Sequence, residues 1–332
     1  MSEKKMELTP LKIRSHGASS VMHYDERYTP YIEMTGLLPF VQLVSRSTPN
    51  LNAAAVTALI DRWRPETHSF HLRTGEMTVT LQDVSMITAL PIEGKPLCMS
   101  TDSEGWRHQM EALIDDEVIQ RYARVYMWYV ISRTIFADDT GKNAPWMWLK
   151  ALTVLDNKFS WGSTALAYLY RQLDDACRRM TKDGGVGGCM LLLSVWSWEH
   201  LPVGRPKSSK WNTWDDHGNP VRQPTWAYKW DLVSEVASEV NLLYKQYTNE
   251  MDSLTPKQAA DDMMLKAFQR SAYMLKPRKE FKRYSPDDYV KGKNPVVGGS
   301  RLSRMRSRDD EVEDDDDDES DDPEQFVVAR RK

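Results

Sequence analysis

The sequence predicts a mainly α-helical protein: a multi-helix bundle with one small β-hairpin and a disordered, charged C-terminal tail. Three observations lead to this prediction. Apolar residues recur at the helical spacing over most of the chain, strict alternation is confined to residues 68–81, and the apolar pattern stops near residue 275. Apolar residues make up 41% of the 332 residues and include 12 Trp, which is enough for a sizeable core.

The apolar stretches are too short for export or for membrane insertion. The first ten residues, MSEKKMELTP, lack the apolar run of a secretory signal. The longest apolar run, residues 189–198, is about half the length that a bilayer requires. Cys98, Cys177 and Cys189 form no CxxC pair, which is typical of reduced thiols. We therefore expect an intracellular protein with no membrane association.

The first third of the chain predicts a helix followed by the hairpin. Residues 1–30 are polar and are expected to form a flexible lead-in. Val56, Leu59, Ile60 and Trp63 then recur at helical spacing and predict one apolar helix face. Pro65 is expected to end this helix. Residues 68–72 and 77–81 alternate on either side of a turn at Thr74-Gly75, which indicates a β-hairpin. Thr80 and Asp83 have the spacing of a capping box that opens a short helix.

Four helices are predicted in the middle of the chain. The first runs from residue 118 to about 136, with a buried face at Val118, Tyr122, Val125, Tyr129 and Val130. The second is marked by Leu149, Leu152 and Leu155. Ser163 is the expected N-cap of the third, whose buried face would be Leu166, Leu169, Tyr170, Leu173, Cys177 and Met180. The fourth, residues 189–198, is apolar on all sides and belongs at the centre of the core.

The last predicted helices lie between residues 226 and 275, after a connector at 202–224. Apolar residues at heptad spacing form a seam there: Trp226, Trp230, Val233, Ala237, Val240, Tyr244 and Tyr247. Such a seam suits helix-on-helix packing and, if it is exposed, self-association. Thr255, Pro256 and Gln258 predict the start of one more helix. We therefore divide the chain into a lead-in (1–30), a helical core (31–206), a helical extension (207–275) and a tail (276–332).

The tail carries segregated charge. Residues 270–308 hold 12 basic and 3 acidic side chains, whereas residues 309–324 hold 13 acidic and no basic ones. The basic segment is a candidate for nuclear import or for contact with nucleic-acid phosphates, through Lys276, Arg278, Lys279, Lys282, Arg283, Arg301, Arg304, Arg306 and Arg308. The acidic block is expected to solubilise the chain, to bind histones, or to fold back on the basic segment.

No pattern in the sequence indicates an enzyme. The ligand motifs of a two-metal phosphatase are missing, and one hairpin cannot supply the α/β domain of an aminotransferase. Asp61, Asp83 and Glu199 are scattered acids, for which exposed or capping roles are expected. On one strand, His68 and His71 would point to opposite faces and would not share a metal. We expect no catalytic residue, no metal site and no cofactor.

Four stretches together resemble the plant mobile domain family. They are residues 58–84, 90–106, 156–171 and 187–206, with the strings WRPETHSFHL, LPIEGKP, FSWGS and WEHLPVGRP. Their order and spacing also match, over roughly residues 30–206. Two features depart from the family: the segment between Trp106 and Tyr122 is shorter, and residues 207–275 lack the usual second half.

The resemblance implies a nuclear protein of the maintenance-of-meristems-like group. Such a protein would support meristem maintenance, genome stability and the silencing of transposable elements through interactions with other nuclear proteins. The resemblance implies no catalytic residues, although the family also carries the labels aminotransferase-like and serine/threonine phosphatase. The alternative is a transposon-derived nucleic-acid-binding protein that uses residues 276–308.

The most family-like string surrounds Pro65. A purely structural interpretation places Trp63 in the core, where a helix ends and the hairpin begins. The alternative interpretation is a surface for a protein partner, with Arg64 and Glu66 as its polar contacts.

Overall fold

The computed structural model shows a helical body with one small sheet. It describes residues 9–13, 22–46, 48–98, 117–139, 144–178, 184–207, 225–230, 233, 239–259 and 262. The chain divides into two units, Met1–Arg270 and Ser271–Lys332, and every described residue belongs to the first. The basic and acidic segments of the tail therefore lie outside the described residues.

Within the described ranges, nine α-helices, three strands and two 3-10 helices follow one another along the chain, and residues 256–259 begin a further helical stretch. The α-helices are α1 (Thr29–Thr35), α2 (Leu38–Arg46), α3 (Ala53–Ile60), α4 (Leu81–Thr88), α5 (Val118–Arg133), α6 (Met147–Lys150), α7 (Trp161–Cys177), α8 (Met190–His200) and α9 (Val240–Ser253). The strands are β1 (Trp63–Arg64), β2 (Ser69–Leu72) and β3 (Gly75–Met77). The 3-10 helices are Glu26–Tyr28 and Trp226–Trp230. The prediction of a mainly α-helical fold is confirmed.

The sheet contains a hairpin at the predicted place and one strand more, but the second hairpin strand is Gly75–Met77 and not residues 77–81, because Leu81 already begins α4. β2 pairs antiparallel with β3, where Leu72 faces Gly75 across the predicted turn. β1 adds to the other edge of β2, where Trp63 faces Phe70. The prediction that Trp63 belongs to the preceding helix is wrong, because α3 ends at Ile60 and the chain turns into the sheet. The capping box is confirmed: Thr80 is the N-cap of α4, and its side chain and that of Asp83 hydrogen-bond reciprocally to the backbone.

The predicted buried face of α5 is wrong except at Val130, which is fully buried. Val118, Tyr122 and Val125 are 54%, 57% and 43% exposed. The face that packs into the core comprises Ala123, Arg124, Tyr126, Met127, Val130, Ile131 and Ser132. Arg124 tolerates burial because its guanidinium donates to the carbonyl oxygens of Leu152 and Thr153, at 2.9 and 3.3 Å.

Two predicted helix boundaries in the next region are corrected. The helix expected around residues 149–155 is the single turn α6, and Leu152 and Leu155 are buried in the turns that follow it. α7 begins at Trp161 with Ser160 in the N-cap position, three residues before the predicted N-cap. Ser163, the predicted cap, instead lies inside the helix and accepts a hydrogen bond from the Ser160 hydroxyl at 2.6 Å.

The centre of the core is α8, as its uniformly apolar sequence predicts. Every residue from Met190 to Glu199 is buried. α8 packs against α4 and against the 3-10 helix Trp226–Trp230. Within the part of the chain that the structure describes, no helix combines the length and apolar character needed to cross a bilayer.

The heptad seam at the C-terminal end is neither one helix nor exposed. Its first described residues lie in the 3-10 helix, and α9 begins only at Val240. Trp230 is 1% exposed, and Tyr244 and Tyr247 pack against the core. The seam residues that the structure describes therefore pack within the body. They do not form an exposed seam through which two copies could associate. The capping box that opens the following helical turn is confirmed by hydrogen bonds between Thr255 and Gln258.

Candidate interaction surface

The predicted interaction residues Arg64 and Glu66 lie on one exposed turn. We call residues 64–68 the β1–β2 turn, since they connect these two strands. The amide of Thr67 donates to the carbonyl of Arg64 at 3.3 Å, which closes the turn. The Arg64 guanidinium donates to the carbonyl of Trp63 at 3.1 Å. Arg64 and Glu66 are both exposed, so the structure brings the two predicted residues together at the surface.

Trp63 anchors the first end of the β1–β2 turn in the body. Its indole Nε1 donates to Asp174 Oδ1 of α7 at 2.7 Å. Its ring packs edge-on against Phe70, with 4.8 Å between centroids, and in a tilted arrangement against Tyr170, with 5.1 Å between centroids. Trp63 is fully buried, as predicted, and this burial fixes where the turn begins.

His68 anchors the second end of the turn in a strained conformation. Its φ of 49° is left-handed, which costs a non-glycine residue roughly 1 kcal/mol or more. The imidazole stacks on Tyr170 at 5.5 Å between centroids, and its Nε2 lies 3.5 Å from Asp174 Oδ2. The expectation that His68 and His71 share a strand is wrong, because β2 begins at Ser69. Asp174 thus holds both ends of the turn.

A polar network covers the outer face of the sheet beside the turn. The Ser69 hydroxyl donates to Glu76 at 2.8 Å, and Thr67 Oγ1 lies 2.7 Å from Ser69 Oγ. His71 Nε2 lies 3.2 Å from Thr67 Oγ1 and 3.3 Å from Glu76 Oε1. A catalytic relay needs the hydroxyl and the carboxylate on opposite imidazole nitrogens, whereas here both face the same one. The network therefore cross-links the turn to β2 and β3 without activating a nucleophile.

The three scattered acids have separate structural partners. Tyr244 donates to Asp61 at 2.5 Å, His200 Nε2 lies 2.9 Å from Asp83 Oδ1, and Trp230 Nε1 donates to Glu199 at 2.8 Å. The capping role expected of Asp83 is confirmed, whereas Glu199 is only 3% exposed and serves the core instead. Burial disfavours the charged form of Asp83, but hydrogen bonds from His200 and Thr80 outweigh it and lower its pKa.

The described ranges contain no group of side chains suited to a metal ion, and Cys177 and Cys189 are not activated thiols. There, no three or more His, Cys, Asp or Glu side chains are grouped so that they could hold a metal ion. Burial raises the pKa of Cys177, and it raises that of Cys189 to about 12. Both thiols therefore stay protonated at neutral pH.

Sequence reasoning missed the part of the surface that α7 supplies. Tyr170 and Asp174 are four residues apart and therefore share a helical face, which is a local signal. Nothing local connects that face with Trp63 and His68, which lie more than a hundred residues earlier in the chain. Only the packing of α7 against the sheet makes this connection.

The described residues thus define a class of protein: a helical body that presents a short antiparallel sheet and a rigid charged turn at its surface. A profile of the plant mobile domain matches residues 39–122 and 107–260, which is more than half of the chain. The chain therefore belongs to the plant mobile domain family. The match reaches residue 260, beyond residue 206, where the family-like strings of the sequence end.

Three curated proteins of Arabidopsis thaliana are similar to parts of this chain. "Protein MAIN-LIKE 2" is 33% identical over 192 residues, 48% of this chain and 28% of that protein. "Protein MAINTENANCE OF MERISTEMS" is 30% identical over 239 residues, 62% of this chain and 47% of that protein. "Serine/threonine-protein phosphatase 7 long form homolog" is 33% identical over 188 residues, 47% of this chain and 14% of that protein. The matched parts span less than half of each relative, and no solved structure matches the chain.

Proposed function

We propose that this chain is a non-enzymatic nuclear protein that supports meristem maintenance, genome stability and transposon silencing by binding other proteins. The observation that carries the proposal is the β1–β2 turn. It presents Arg64 and Glu66 to solvent, while Trp63 and His68 hold it against α7. The similarity to a protein named for maintenance of meristems supports the biological part of the proposal.

The construction of the turn suits protein recognition. A surface that is rigid before binding loses little conformational entropy when a partner docks. Arg64 and Glu66 flank Pro65, are exposed and carry opposite charges. Such a pair favours a partner surface with complementary charges. The shared Asp174 contact and the buried indole of Trp63 supply the rigidity.

The contacts around the turn support a non-enzymatic role. His68 and His71 each lie beside a carboxylate that holds the local structure, and Asp83 caps a helix. The similarity to the protein named as a phosphatase extends over 14% of that protein. This limited overlap gives no reason to assign the named activity to this chain.

A charge reversal at the turn tests the proposed binding surface. The full chain carrying Arg64→Glu and Glu66→Lys keeps its net charge, as does a control carrying Glu33→Lys and Lys257→Glu at exposed positions on other elements. We expect proteins captured from plant nuclear extract by the wild-type chain to fall at least tenfold with the turn variant and to persist with the control. Equal capture by both variants, with circular dichroism unchanged, would contradict a role for the turn.

The nuclear part of the proposal has its own test. The supporting observation is the excess of basic residues in 270–308, 12 against 3 acidic. We expect the fluorescently tagged full chain to accumulate in plant nuclei, and a variant with the nine candidate basic residues changed to Gln to accumulate there less. Exclusion of the wild-type chain from nuclei would refute this localisation.

The same charge excess supports the alternative, a nucleic-acid-binding protein. The affinity of the full chain for a DNA duplex would then fall steeply with salt, with a slope of about −0.9 per phosphate neutralised. The Gln variant would lose both the affinity and the slope. Deletion of residues 309–332 would raise the affinity if the acidic block folds back on the basic segment. Absence of DNA and RNA binding at low salt would eliminate this alternative.

A further inference from the structure

The outer face of α5 carries a line of apolar side chains that the body leaves largely exposed, apart from Tyr129, which packs partly against the core. We call Val118, Tyr122, Val125 and Tyr129 the α5 stripe. The first three are 54%, 57% and 43% exposed, and Tyr129 is half-buried. Steps of four, three and four residues place them along one line of the helix, at the spacing of a heptad seam.

This exposure is unusual because the opposite face of α5 already supplies the core. Met127, Val130 and Ile131 are fully buried, so α5 does not need the stripe in order to pack. Single exposed apolar residues are common on protein surfaces, whereas a contiguous apolar patch marks a site of interaction. The stripe is a patch of this kind, in the register that a second helix recognises.

The charged residues of α5 indicate which charges a bound helix would carry. Residues 118–133 contain three arginines and no acidic residue. Arg124 is buried, whereas Arg121 and Arg133 are exposed. At 100° per residue these two lie roughly 60° to either side of the stripe. The Arg133 guanidinium lies over the Tyr129 ring, 5.8 Å from its centroid.

Two described contacts involve residues of α5 beside the stripe. On one side, the rings of Tyr24 and Tyr28 pack against Tyr126. On the other side, Trp128 Nε1 donates to the carbonyl of Pro145 at 3.1 Å. The acid nearest in sequence is Glu117, just before α5, which accepts a hydrogen bond from Tyr31 at 2.5 Å. Within α5 itself, the exposed residues with a formal charge are Arg121 and Arg133.

We propose that the α5 stripe is the docking site for an amphipathic helix of a partner protein, with an apolar heptad seam flanked by acidic residues. The heptad spacing favours a helix, and Arg121 and Arg133 favour acidic flanks. A second copy of α5 would bring arginines together without acids. Val118 and Val125 offer no ring on which a nucleic-acid base would stack. The proposal for the α5 stripe rests on the proposed function in one respect: both assume that the chain binds other proteins.

Two synthetic 21-residue helices test the site. Both carry Leu at the seam positions, with Glu at the flanking positions of one and Lys at those of the other. We expect the full chain to bind the Glu helix, by fluorescence anisotropy, at least tenfold more tightly than the Lys helix. Tyr122→Glu and Arg121→Glu would each weaken binding of the Glu helix at least tenfold. Leu242→Glu, at a position 61% exposed on α9, is the matched control and would leave binding unchanged.

Several outcomes would overturn this proposal. They are equal binding of the two helices, binding of neither, a Tyr122-dependent dimer in sedimentation equilibrium, or displacement of the Glu helix by a single-stranded oligonucleotide. The β1–β2 turn variant, Arg64→Glu with Glu66→Lys, separates this test from that of the proposed function. We expect this variant to bind the Glu helix as the wild-type chain does. If it loses its nuclear partners but still binds the Glu helix, the loss is due to the turn and not to the α5 stripe.

Discussion

Asp174 accepts a hydrogen bond from the Trp63 indole and lies within 3.5 Å of the His68 imidazole. The two side chains stand at opposite ends of the β1–β2 turn, so a single carboxylate contacts both ends. A charge-assisted contact of this kind is stronger than a neutral hydrogen bond. At the scale of single residues, the candidate surface therefore depends on one side chain that lies below it.

Asp174→Ala removes this carboxylate and leaves the buried indole N–H without its partner. We expect the free energy of unfolding to fall by about 1–3 kcal/mol, the usual cost of an unsatisfied buried donor. Asp175→Ala, at the exposed neighbouring position, is the matched control. Urea unfolding followed by Trp fluorescence measures both. Equal midpoints for the two variants would mean that Asp174 does not stabilise the turn.

Asp83 makes the stability of the protein dependent on pH. Its folded pKa lies below the ordinary value of 3.8, so its stabilising contribution is present above pH 3.8 and is lost as the pH falls through the folded pKa. Asp83→Asn should cost about 1 kcal/mol near pH 6 through the weakened helix cap, and less near pH 3. Denaturant unfolding at both pH values measures the difference. A difference that is independent of pH would contradict this assignment.

At the scale of elements, Arg205 joins the end of the central helix to the C-terminal part of the body. Its guanidinium donates to the carbonyls of Trp198 and Leu201, at 2.6 and 2.5 Å. These carbonyls belong to the last turn of α8 and its C-cap, where no further helical amide follows. The same guanidinium makes a two-point ion pair with Asp262, at 2.6 and 2.7 Å.

Arg205→Ala should lower the free energy of unfolding by about 3 kcal/mol, because it leaves a buried carboxylate and two helix-end carbonyls without their partner. The Arg205 and Asp262 side chains are only 18% and 9% exposed. Arg27→Ala breaks an ion pair with Asp25 whose arginine is 70% exposed, and it should leave unfolding unchanged. Thermal melts of the two variants at matched concentration provide the comparison. Equal shifts would show that Arg205 contributes no more than a surface charge.

At the scale of the whole molecule, residues from the N-terminal helices and from α9 belong to one hydrophobic core. Ile32 and Met251 are 0% and 2% exposed and belong to the same buried cluster as Leu192 of the central helix. α9 packs along α3, with Arg62 donating to the carbonyl of Thr248 at 2.8 Å. α9 is therefore an integral part of the body.

Met251→Ala should lower the free energy of unfolding by about 2–4 kcal/mol through the cavity it leaves. Because the core is shared, we expect far-UV circular dichroism and Trp fluorescence to shift to the same lower urea midpoint. Leu242→Ala, on the exposed side of α9, should shift neither. Separate transitions for the two signals in the Met251 variant would indicate that α9 unfolds independently of the body.

Much of this protein is determined by local sequence. The uniformly apolar run of α8 could only be buried, the Thr80 and Asp83 spacing starts a helix, and alternation around Thr74 forms a hairpin. Arg64 and Glu66 of the charged string around Pro65 lie at the surface, while their role as partner contacts stays a prediction. Each of these features depends on neighbours within a few residues, which is the range that a sequence pattern records.

Tertiary structure decided the features that depend on distant partners. α5 has two apolar faces, and the face with Arg124 is buried because the carbonyls of Leu152 and Thr153 lie there to receive its guanidinium. The two-residue strand β1 exists because β2 lies beside it, and Trp63 meets Asp174 because α7 packs on the sheet. Periodicity determines that a residue is apolar and which line of a helix it occupies, whereas the distant partner determines which line is covered.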